Sequence, residues 1–545
     1  MGRPADFFLR STFHSSFHSQ KLSRSTRGTA HAYSPPRVTL SSFSPNSSLT
    51  VRTSWLVAAK TLAFAFTIAI PLLLVRRMPQ HEFGLYKQIF LVIGSAIGVL
   101  PLGFGLTAFY FLPREERYRN HTVFNVVLFT TAVAALFAAA LSLFPSVLIL
   151  VFSDPAAATF APWIGTIIVL WVVGSFLEIV TVANQEIKVA TGVILAIQVT
   201  RATFFLTAAV ASGTVGALVI AAIAQGLVQV GALIFYLRNR FPGFWHAWDP
   251  SFFRKQLTYA LPFGLAGTLW TLQSDLHNYF VSHQYGPAAY AVYAIGCFQV
   301  PLFGILAESV GSVMIPRVSL LQHEQQTREI VLLTARVMRK LAAIYLPAYA
   351  FLLVMRHEFI VGLFTDRYVD SIPVFAVNLT LIPLGIFVVD PVMRAYAEHR
   401  HFLVKLHAVL LVCLSVALAL SIRRFGLIGA ITLMVVFTYV GRAATVMKVI
   451  RILGLRAHDA VLYTDVVKIG GAAAVAGLAT TLIRSLTSGL APLAALAVCG
   501  ICFGIVYAAV ILAAGVVTQE ERLAALNSLR RVTGRSGPAL AAPQL

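Results

Sequence analysis

The stretch YALPFGLAGTLWTLQSDLHNYF (residues 259–280) is apolar over most of its length, yet it carries a carboxylate at Asp275 and an imidazole at His277. A helix needs roughly 20 predominantly apolar residues to cross a bilayer, because its backbone polar groups must be satisfied inside the segment. Similar stretches recur along the chain, whose 545 residues are 58% hydrophobic and only 12% charged. The composition therefore predicts an all-α, polytopic membrane protein.

About fourteen stretches have the length and composition of a membrane-spanning helix. They lie near 54–75, 88–112, 122–152, 161–182, 187–210, 214–237, 256–281, 289–315, 330–354, 371–393, 402–421, 426–449, 464–484 and 489–515. The third is long enough to contain either a tilted helix or an extra interfacial turn. Pro262, Pro301 and Pro383 interrupt the sequence of spans seven, eight and ten, where proline removes a backbone hydrogen bond and can kink the helix. The alternative, which we favour for any single residue, is that proline is simply common in membrane helices.

The basic residues indicate the orientation of the chain in the membrane. Loops on the side of the two termini carry about four times as many Lys and Arg as the opposite loops, to which we assign Arg76, Arg77 and Lys87. This bias predicts that both termini are cytoplasmic, and topology then accounts for most of the net charge of +21. Residues 1–53 are rich in Ser and basic residues; a disordered tail, a presequence and an upstream start codon are the alternatives.

Short motifs suggest an internal repeat. FGLY (residues 83–86) follows the first span as YAVY (290–293) follows the seventh, and GTVGAL (213–218) opens the sixth span as GLIGAI (426–431) opens the twelfth. Six helices per copy make two parallel lobes, an arrangement typical of transporters. The alternative is chance similarity among residues that are common in membrane helices. The predicted units are a tail (1–53), an N-lobe (54–240), a C-lobe (241–450), an accessory helix pair (451–515) and a cytoplasmic tail (516–545).

Ionisable residues inside predicted spans are the candidate site residues, because a charge in the bilayer costs about 2.5–3.5 kcal/mol unless it faces a cavity or a partner. The candidates for a substrate-binding cavity are Lys60, Glu178, Arg201, Asp275, Glu308, Asp390 and Arg394. Arg201 lies far from both ends of its span, so we expect it to line a cavity or to pair with Glu178. Lys60 either faces the cavity or extends back to the interface.

The remaining candidates depend on helical spacing. Asp275 and His277 are two residues apart, which places them on different faces of a helix and argues against a tight dyad. Asp390 and Arg394 are four apart and can pair at the cytoplasmic mouth. Glu308 has no partner in its own span and must be neutral, hydrated or paired across helices. We expect Asp275 to exchange a coupling ion or to balance a nearby cation, the alternative being an interfacial position.

Two stretches resemble the polysaccharide-transporter flippases of the multidrug, oligosaccharidyl-lipid and polysaccharide exporter superfamily. They are RRMPQHEFGLYKQIF (residues 76–90) and the region 259–296, where an apolar helix, an Asp near its outer end, a Gly-Pro turn and an aromatic-rich continuation follow one another. The resemblance covers about residues 50–515. One departure is that the family often follows this Asp with Arg, whereas here Leu276 and His277 follow Asp275.

The resemblance implies a flippase that moves a polyprenyl-pyrophosphate-linked oligosaccharide across a bacterial inner membrane by alternating access. Its partners would be the lipid-linked oligosaccharide, membrane lipids and glycan assembly or polymerase proteins, with no nucleic acid. The coupling ion would be a proton or sodium. In this reading Arg201 and Lys60 attract the pyrophosphate, while Asp275 or Glu308 exchanges the ion.

Other functions remain open at this stage. A drug or cation antiporter of the same superfamily is the nearest alternative, and a lipid II flippase is another, although VRRMPQHEFG (75–84) replaces the basic signature expected there. The sequence has no Walker loop and no cluster with metal-ligand spacing, so we expect no nucleotide hydrolysis and no cofactor. A membrane glycosyltransferase or polymerase is disfavoured by the short outer loops. The CxxC of Cys499 and Cys502 lies inside a predicted span, which favours packing over redox chemistry.

Overall fold

The computed structural model describes residues 69–396, 400–487 and 489–516, and the regular structure in these residues is helical. Eleven of its helices are long and apolar enough to cross a membrane. The protein is therefore an all-α, multi-pass membrane protein, as the composition predicts. The count of fourteen spans stays a prediction, because the first predicted span falls largely outside the described residues.

The first half of the described chain consists of helices joined by short turns. They are α1 (69–77), α2 (Gln80–Val99), α3 (Thr107–Phe111), α4 (Arg119–Leu143), α5 (Ser146–Phe152), α6 (Pro155–Thr159), α7 (Ala161–Gly174), α8 (Phe176–Ala183), α9 (Ile187–Ala211) and α10 (Val215–Arg240). The short α5 forms the second part of the long third stretch, as its length predicts.

The second half continues in the same way. Its helices are α11 (Pro250–Gly296), α12 (Pro301–His323), α13 (Thr327–Val354), α14 (Arg356–Phe364), α15 (Ile372–Leu379), α16 (Asp390–Ala395), α17 (Arg400–Leu453), α18 (Thr464–Leu486) and α19 (Pro492–Ala513). Asp249 caps the start of α11 by accepting from the backbone N–H groups of Ser251 and Phe252. The hydrogen bond from the Ser251 hydroxyl lowers the pKa of this carboxyl, so the cap is ionised at neutral pH.

Two of these helices contain a sharp break at a glycine. Gly286 in α11 has φ of 75°, and Gly426 in α17 has φ of 63°. Such positive φ values are accessible to glycine without a steric penalty. Each long helix is therefore two helical segments, and the breaks lie where the sequence predicts the boundaries between spans seven and eight and between spans eleven and twelve.

The predicted proline interruptions have mixed outcomes. Pro301 begins α12 after a break in the helix, and Pro383 lies in a 3-10 helix at Ile382–Ile386, as expected. The prediction for Pro262 is wrong, because α11 continues through it with helical backbone angles. A helix in a packed bundle tolerates the lost hydrogen bond when its neighbours hold it in place.

In each half a residue with positive φ follows a helix that ends at a buried phenylalanine. α5 ends at the fully buried Phe152 and is followed by Ser153 with φ of 54°, and α14 ends at the fully buried Phe364 and is followed by Thr365 with φ of 74°. These turns are 212 positions apart, close to the spacing of the repeated sequence motifs. The division into an N-lobe and a C-lobe stays a prediction, and we use these names for residues 69–240 and 241–450.

The contact of α11 with α2 and with the turn that follows α2, which we call the seam, joins the two lobes. A Cβ atom on Gly84 would lie 1.8 Å from the carbonyl oxygen of Pro287, and one on Gly264 would lie 1.7 Å from that of Leu102. Glycine at both positions lets the backbones touch directly. The seam therefore holds the polar groups of α2 and α11 close together.

Candidate functional site

Polar side chains line both helices of the seam. On α11 residues spaced by four and three positions share one face, and on α2 residues seven positions apart do so. These residues are Thr271, Asp275, Tyr279 and Ser282 on α11, and Gln88 and Ser95 on α2. The two faces meet, so groups about 180 to 195 positions apart in sequence form hydrogen bonds.

Asp275 is the acceptor at the centre of this arrangement. The Ser95 hydroxyl donates to Asp275 Oδ2 at 2.6 Å, and the Tyr279 hydroxyl donates to Ser95 Oγ at 2.9 Å. A hydroxyl can donate one hydrogen bond and accept others at once, so Ser95 relays the interaction between Tyr279 and the carboxylate. Two helical turns further along the seam, Gln88 Nε2 donates to Ser282 Oγ at 2.8 Å.

The charge of Asp275 has no basic partner within ion-pair distance among the described residues. Its side chain is half-buried, and its described hydrogen bond comes from a neutral hydroxyl. A carboxylate within a bilayer requires water, a proton or a bound cation when no basic side chain is near. The site is therefore chemically suited to taking up and releasing a proton or a small cation.

The opposite face of α11 points into the C-lobe. His277 is buried and lies 2.7 Å from the Tyr293 hydroxyl through its Nδ1 atom. Gln273 Oε1 lies 2.9 Å from His407 Nδ1 on α17. Asp275 and His277 thus bond to different elements, as their spacing predicts.

Arg201 lies on α9, where aromatic rings surround it. Its guanidinium carbon is 4.7 Å from the centre of the Trp171 ring and 5.9 Å from that of Phe205. Phe90 of α2 packs against both rings. In the described part of the chain no carboxylate or carbonyl accepts a hydrogen bond from Arg201, and Glu178, its alternative partner, is exposed on α8. The aromatic faces stabilise the cation, and its N–H donors have no acceptor among the described residues.

Lys87 lies inside helix α2, so the prediction that places it in a loop is wrong. Its apparent place in an outer loop followed from a predicted second span that starts at residue 88, whereas α2 begins at Gln80. Its ammonium lies 5.5 Å from the ring centre of Phe83 and 6.0 Å from that of Tyr86. A Cβ atom on Gly94, two turns along, would meet no atom within 4 Å, so this face of α2 borders open space.

The other candidates lie elsewhere. Asp390 is exposed, and its described ion pair is with Arg442 at 3.8 Å. Arg394 is exposed on α16. Lys60 and the side chain of Glu308 fall outside the described residues, so their predicted roles stay predictions. The structure therefore does not place the candidates in a single cluster, and Asp275 and Arg201 have the surroundings most suited to a ligand.

Sequence reasoning missed the partners of Asp275. Ser95 and Gln88 are ordinary polar residues within an apolar run, and neither is ionisable. The available signal was their spacing of seven, which matches the spacing from Asp275 to Ser282. Polar residues at this period in two different spans indicate a shared helix–helix contact. Among the described residues there is no group of three or more His, Cys, Asp or Glu side chains that could hold a metal ion.

Comparison with known proteins gives a family and a fold. A family model described as "Polysaccharide biosynthesis protein" matches residues 73–373, which is more than half of the chain. This match includes α2, α9 and α11, and so it contains both Asp275 and Arg201. A search of curated protein sequences finds no match.

Solved structures of transporters have a similar fold. A lipid II flippase MurJ in an inward closed conformation aligns with a TM-score of 0.64 and 12% identity over 84% of this chain and 97% of that chain. An inward-facing multidrug resistance MATE family transporter of the MOP superfamily aligns with a TM-score of 0.55 and 13% identity over 72% and 95%. A mutant of the Vibrio cholerae MATE transporter VcmN gives 0.53 and 14% over 77% and 100%. These identities are low, so the likeness concerns the fold.

Proposed function

Because the chain belongs to the Polysaccharide biosynthesis protein family, we propose that it is a flippase that moves a polyprenyl-pyrophosphate-linked oligosaccharide across a membrane. The membrane is the bacterial inner membrane, with both termini in the cytoplasm. The substrate, its lipid environment and the proteins that assemble the glycan are the partners. The fold shared with transporters supports movement of a substrate over chemical conversion of it.

The observation that carries this proposal is the environment of Arg201. Its guanidinium carbon lies 4.7 Å from the centre of the Trp171 ring, and the guanidinium has no acidic partner in the described chain. A stacked guanidinium presents its planar N–H donors at the edge, a geometry that suits two oxygens of a phosphate group. The pyrophosphate of a lipid-linked sugar supplies such oxygens, and Lys87 adds a second positive charge in the same lobe.

Asp275 supplies the coupling step. It lies at the contact between the two lobes, where movement of one lobe against the other would separate it from Ser95. Losing this donor changes the affinity of the carboxylate for a proton or sodium ion, since hydrogen bonds to the charged form stabilise it. An ion that binds Asp275 more tightly in one arrangement of the lobes therefore shifts the equilibrium toward that arrangement.

The test is transport into vesicles that contain the purified protein and a fluorescent polyprenyl-pyrophosphate-linked oligosaccharide. We expect Arg201→Ala to reduce the initial rate at least tenfold, because a charge-assisted bidentate contact contributes about 1.5–3 kcal/mol. Arg238→Ala is the matched control, since it removes an exposed arginine from the end of α10. Equal rates for Arg201→Ala and the wild type would contradict the assignment of Arg201.

The same vesicles separate the proposal from its nearest rival. A drug or cation antiporter would export a cationic dye against an ion gradient and leave the lipid-linked oligosaccharide where it was. We expect the opposite pattern, because the positively charged side chains of Arg201 and Lys87 in the N-lobe attract anions and repel cationic drugs. Dye export without oligosaccharide movement would overturn the flippase assignment.

A further inference from the structure

Arg76 joins the two lobes at the end of the bundle where α14 lies, which we call the α14 end. It is near the end of α1, and one of its amino groups donates to the carbonyl oxygen of Leu363 at 2.8 Å while the other donates to that of Gly362 at 3.1 Å. The first amino group also donates to Leu72 of its own helix at 2.8 Å. One side chain thus holds the carbonyl groups of α1 and α14 together.

The acceptors are the unpaired carbonyl groups at the end of a helix. The last four carbonyls of a helix have no partner within it, and they carry the negative end of the helix dipole. α14 ends at Phe364, so Gly362 and Leu363 belong to its last turn. A guanidinium at this place satisfies two of these carbonyls and opposes the dipole, which makes the contact stronger than a neutral hydrogen bond.

Neighbouring contacts link the same two segments. Gln80, the first residue of α2, donates to the carbonyl oxygen of Arg367. The rings of Phe83 and Tyr368 meet edge to face with centres 6.0 Å apart. The start of α2 therefore contacts the turn after α14, beside the contacts of Arg76. Ser153, which follows α5 in the N-lobe, and His283 on α11 also lie 3.0 Å apart.

The segment after α14 also contains groups that the closed arrangement leaves unsatisfied. The hydroxyls of Thr365 and Tyr368 are buried without a hydrogen-bond partner among the described residues. A buried polar group without a partner destabilises the arrangement that buries it. Opening of the α14 end would let water reach both hydroxyls, so the cost of losing the Arg76 contacts is partly offset.

We propose that Arg76 is a latch that holds the lobes closed at the α14 end and is released when that end opens. The latch belongs to the alternating-access cycle of the proposed function, but its action is a property of the protein alone. The topology predicted from the basic residues makes this the extracytoplasmic end. Release would expose the carbonyls of α14 to water, which can replace the lost hydrogen bonds.

The experiment measures the distance between the lobes without any substrate. Spin labels are placed at Leu143 on α4 and at Leu420 on α17, which are both exposed, after the four cysteines are replaced by alanine. Pulsed electron paramagnetic resonance then gives the distance distribution in lipid nanodiscs. We expect Arg76→Ala to increase the population at longer distances about tenfold, which corresponds to 1.4 kcal/mol.

The control is the neighbouring residue. Arg77 is also exposed, and Arg77→Ala removes the same charge one position away, so we expect the wild-type distribution. Arg76→Lys keeps the charge but cannot place two fixed donors on two carbonyls, and should give an intermediate shift. If Arg76→Ala does not fold, Arg76→Lys and Gln80→Ala carry the test, each with a smaller shift to longer distances.

Two results would overturn the latch. One is an unchanged distribution in the folded Arg76 variants and in Gln80→Ala, and the other is an equal shift in Arg77→Ala, which would assign the effect to charge alone. Because no substrate is present, these results are independent of the flippase assignment. A protein with a working latch and no oligosaccharide transport would disprove the proposed substrate and leave the latch intact.

Discussion

The two faces of α11 use polar side chains in opposite ways. Toward the C-lobe, His277 is buried and bonded to Tyr293, and Gln273 is buried and bonded to His407. Toward α2, Asp275 is only half-buried, and its charge has no basic partner in the described chain. Buried polar groups that are fully paired stabilise one structure, whereas an unneutralised charge at a contact between lobes is available to an ion.

This difference separates substitutions that affect folding from those that affect transport. On the C-lobe face we expect a loss of stability. On the seam we expect a large loss of stability where the backbones touch, a small loss where a hydroxyl is removed, and a change in transport where the carboxylate is removed. The variants below test this distinction, from the largest expected change in stability to the smallest.

Gly264→Ala should have the largest effect. Its Cβ atom would lie 1.7 Å from the carbonyl oxygen of Leu102, a backbone atom that cannot rotate away. We expect the free energy of unfolding to fall by about 3 kcal/mol, the upper part of the range for overpacking. Gly267→Ala is the matched control, since the new Cβ would meet nothing within 4 Å. Thermal unfolding in detergent measures both, and equal melting temperatures would show that the seam is not tightly packed.

His277→Ala tests the C-lobe face. The substitution leaves a cavity and removes the partner of the Tyr293 hydroxyl, which is itself fully buried. We expect a loss of about 2 kcal/mol in the free energy of unfolding. Urea or thermal unfolding of the purified protein gives the value. A variant as stable as the wild type but unable to transport would place His277 in the mechanism instead of in the core.

The sequence predicts part of this comparison. Helical spacing alone places Asp275 and His277 on different faces, and the surrounding apolar run places both in the membrane. The spacing of seven indicates a helix contact but does not pair Ser95 with Asp275, because the two are 180 positions apart and the register of their helices depends on the glycine contacts at Gly84 and Gly264. Local patterns carry no information on that register.

The errors have physical causes as well. Hydropathy falls near a charged residue and so places Lys87 in a loop, although the aromatic rings beside it allow the helix to continue. The break after α2 was also missed. There Leu102 has φ of 46° and Gly103 has φ of 67°, and a Pro-Leu-Gly sequence within an apolar run gives only a weak turn signal.

Ser95→Ala should have a smaller effect on stability than His277→Ala. It removes the donor to Asp275 and the acceptor for Tyr279, both of which are partly accessible and can bond to water instead. We expect a loss of about 1 kcal/mol in the free energy of unfolding. The same unfolding measurement provides the value. A loss as large as that of His277→Ala would mean that the seam is as closed to water as the C-lobe core.

Asp275→Asn should change stability least, because the amide oxygen still accepts from Ser95 in the same shape. It removes the ability to exchange a proton and weakens cation binding, and so it tests the central claim that an ionisable carboxylate at the seam drives transport. The measurement is the initial rate of oligosaccharide transport in vesicles with an imposed ion gradient. We expect the free energy of unfolding of Asp275→Asn to lie within about 0.5 kcal/mol of the wild-type value. We expect its initial rate of transport to be at least tenfold lower. A folded Asp275→Asn protein that transports at the wild-type rate would contradict the claim.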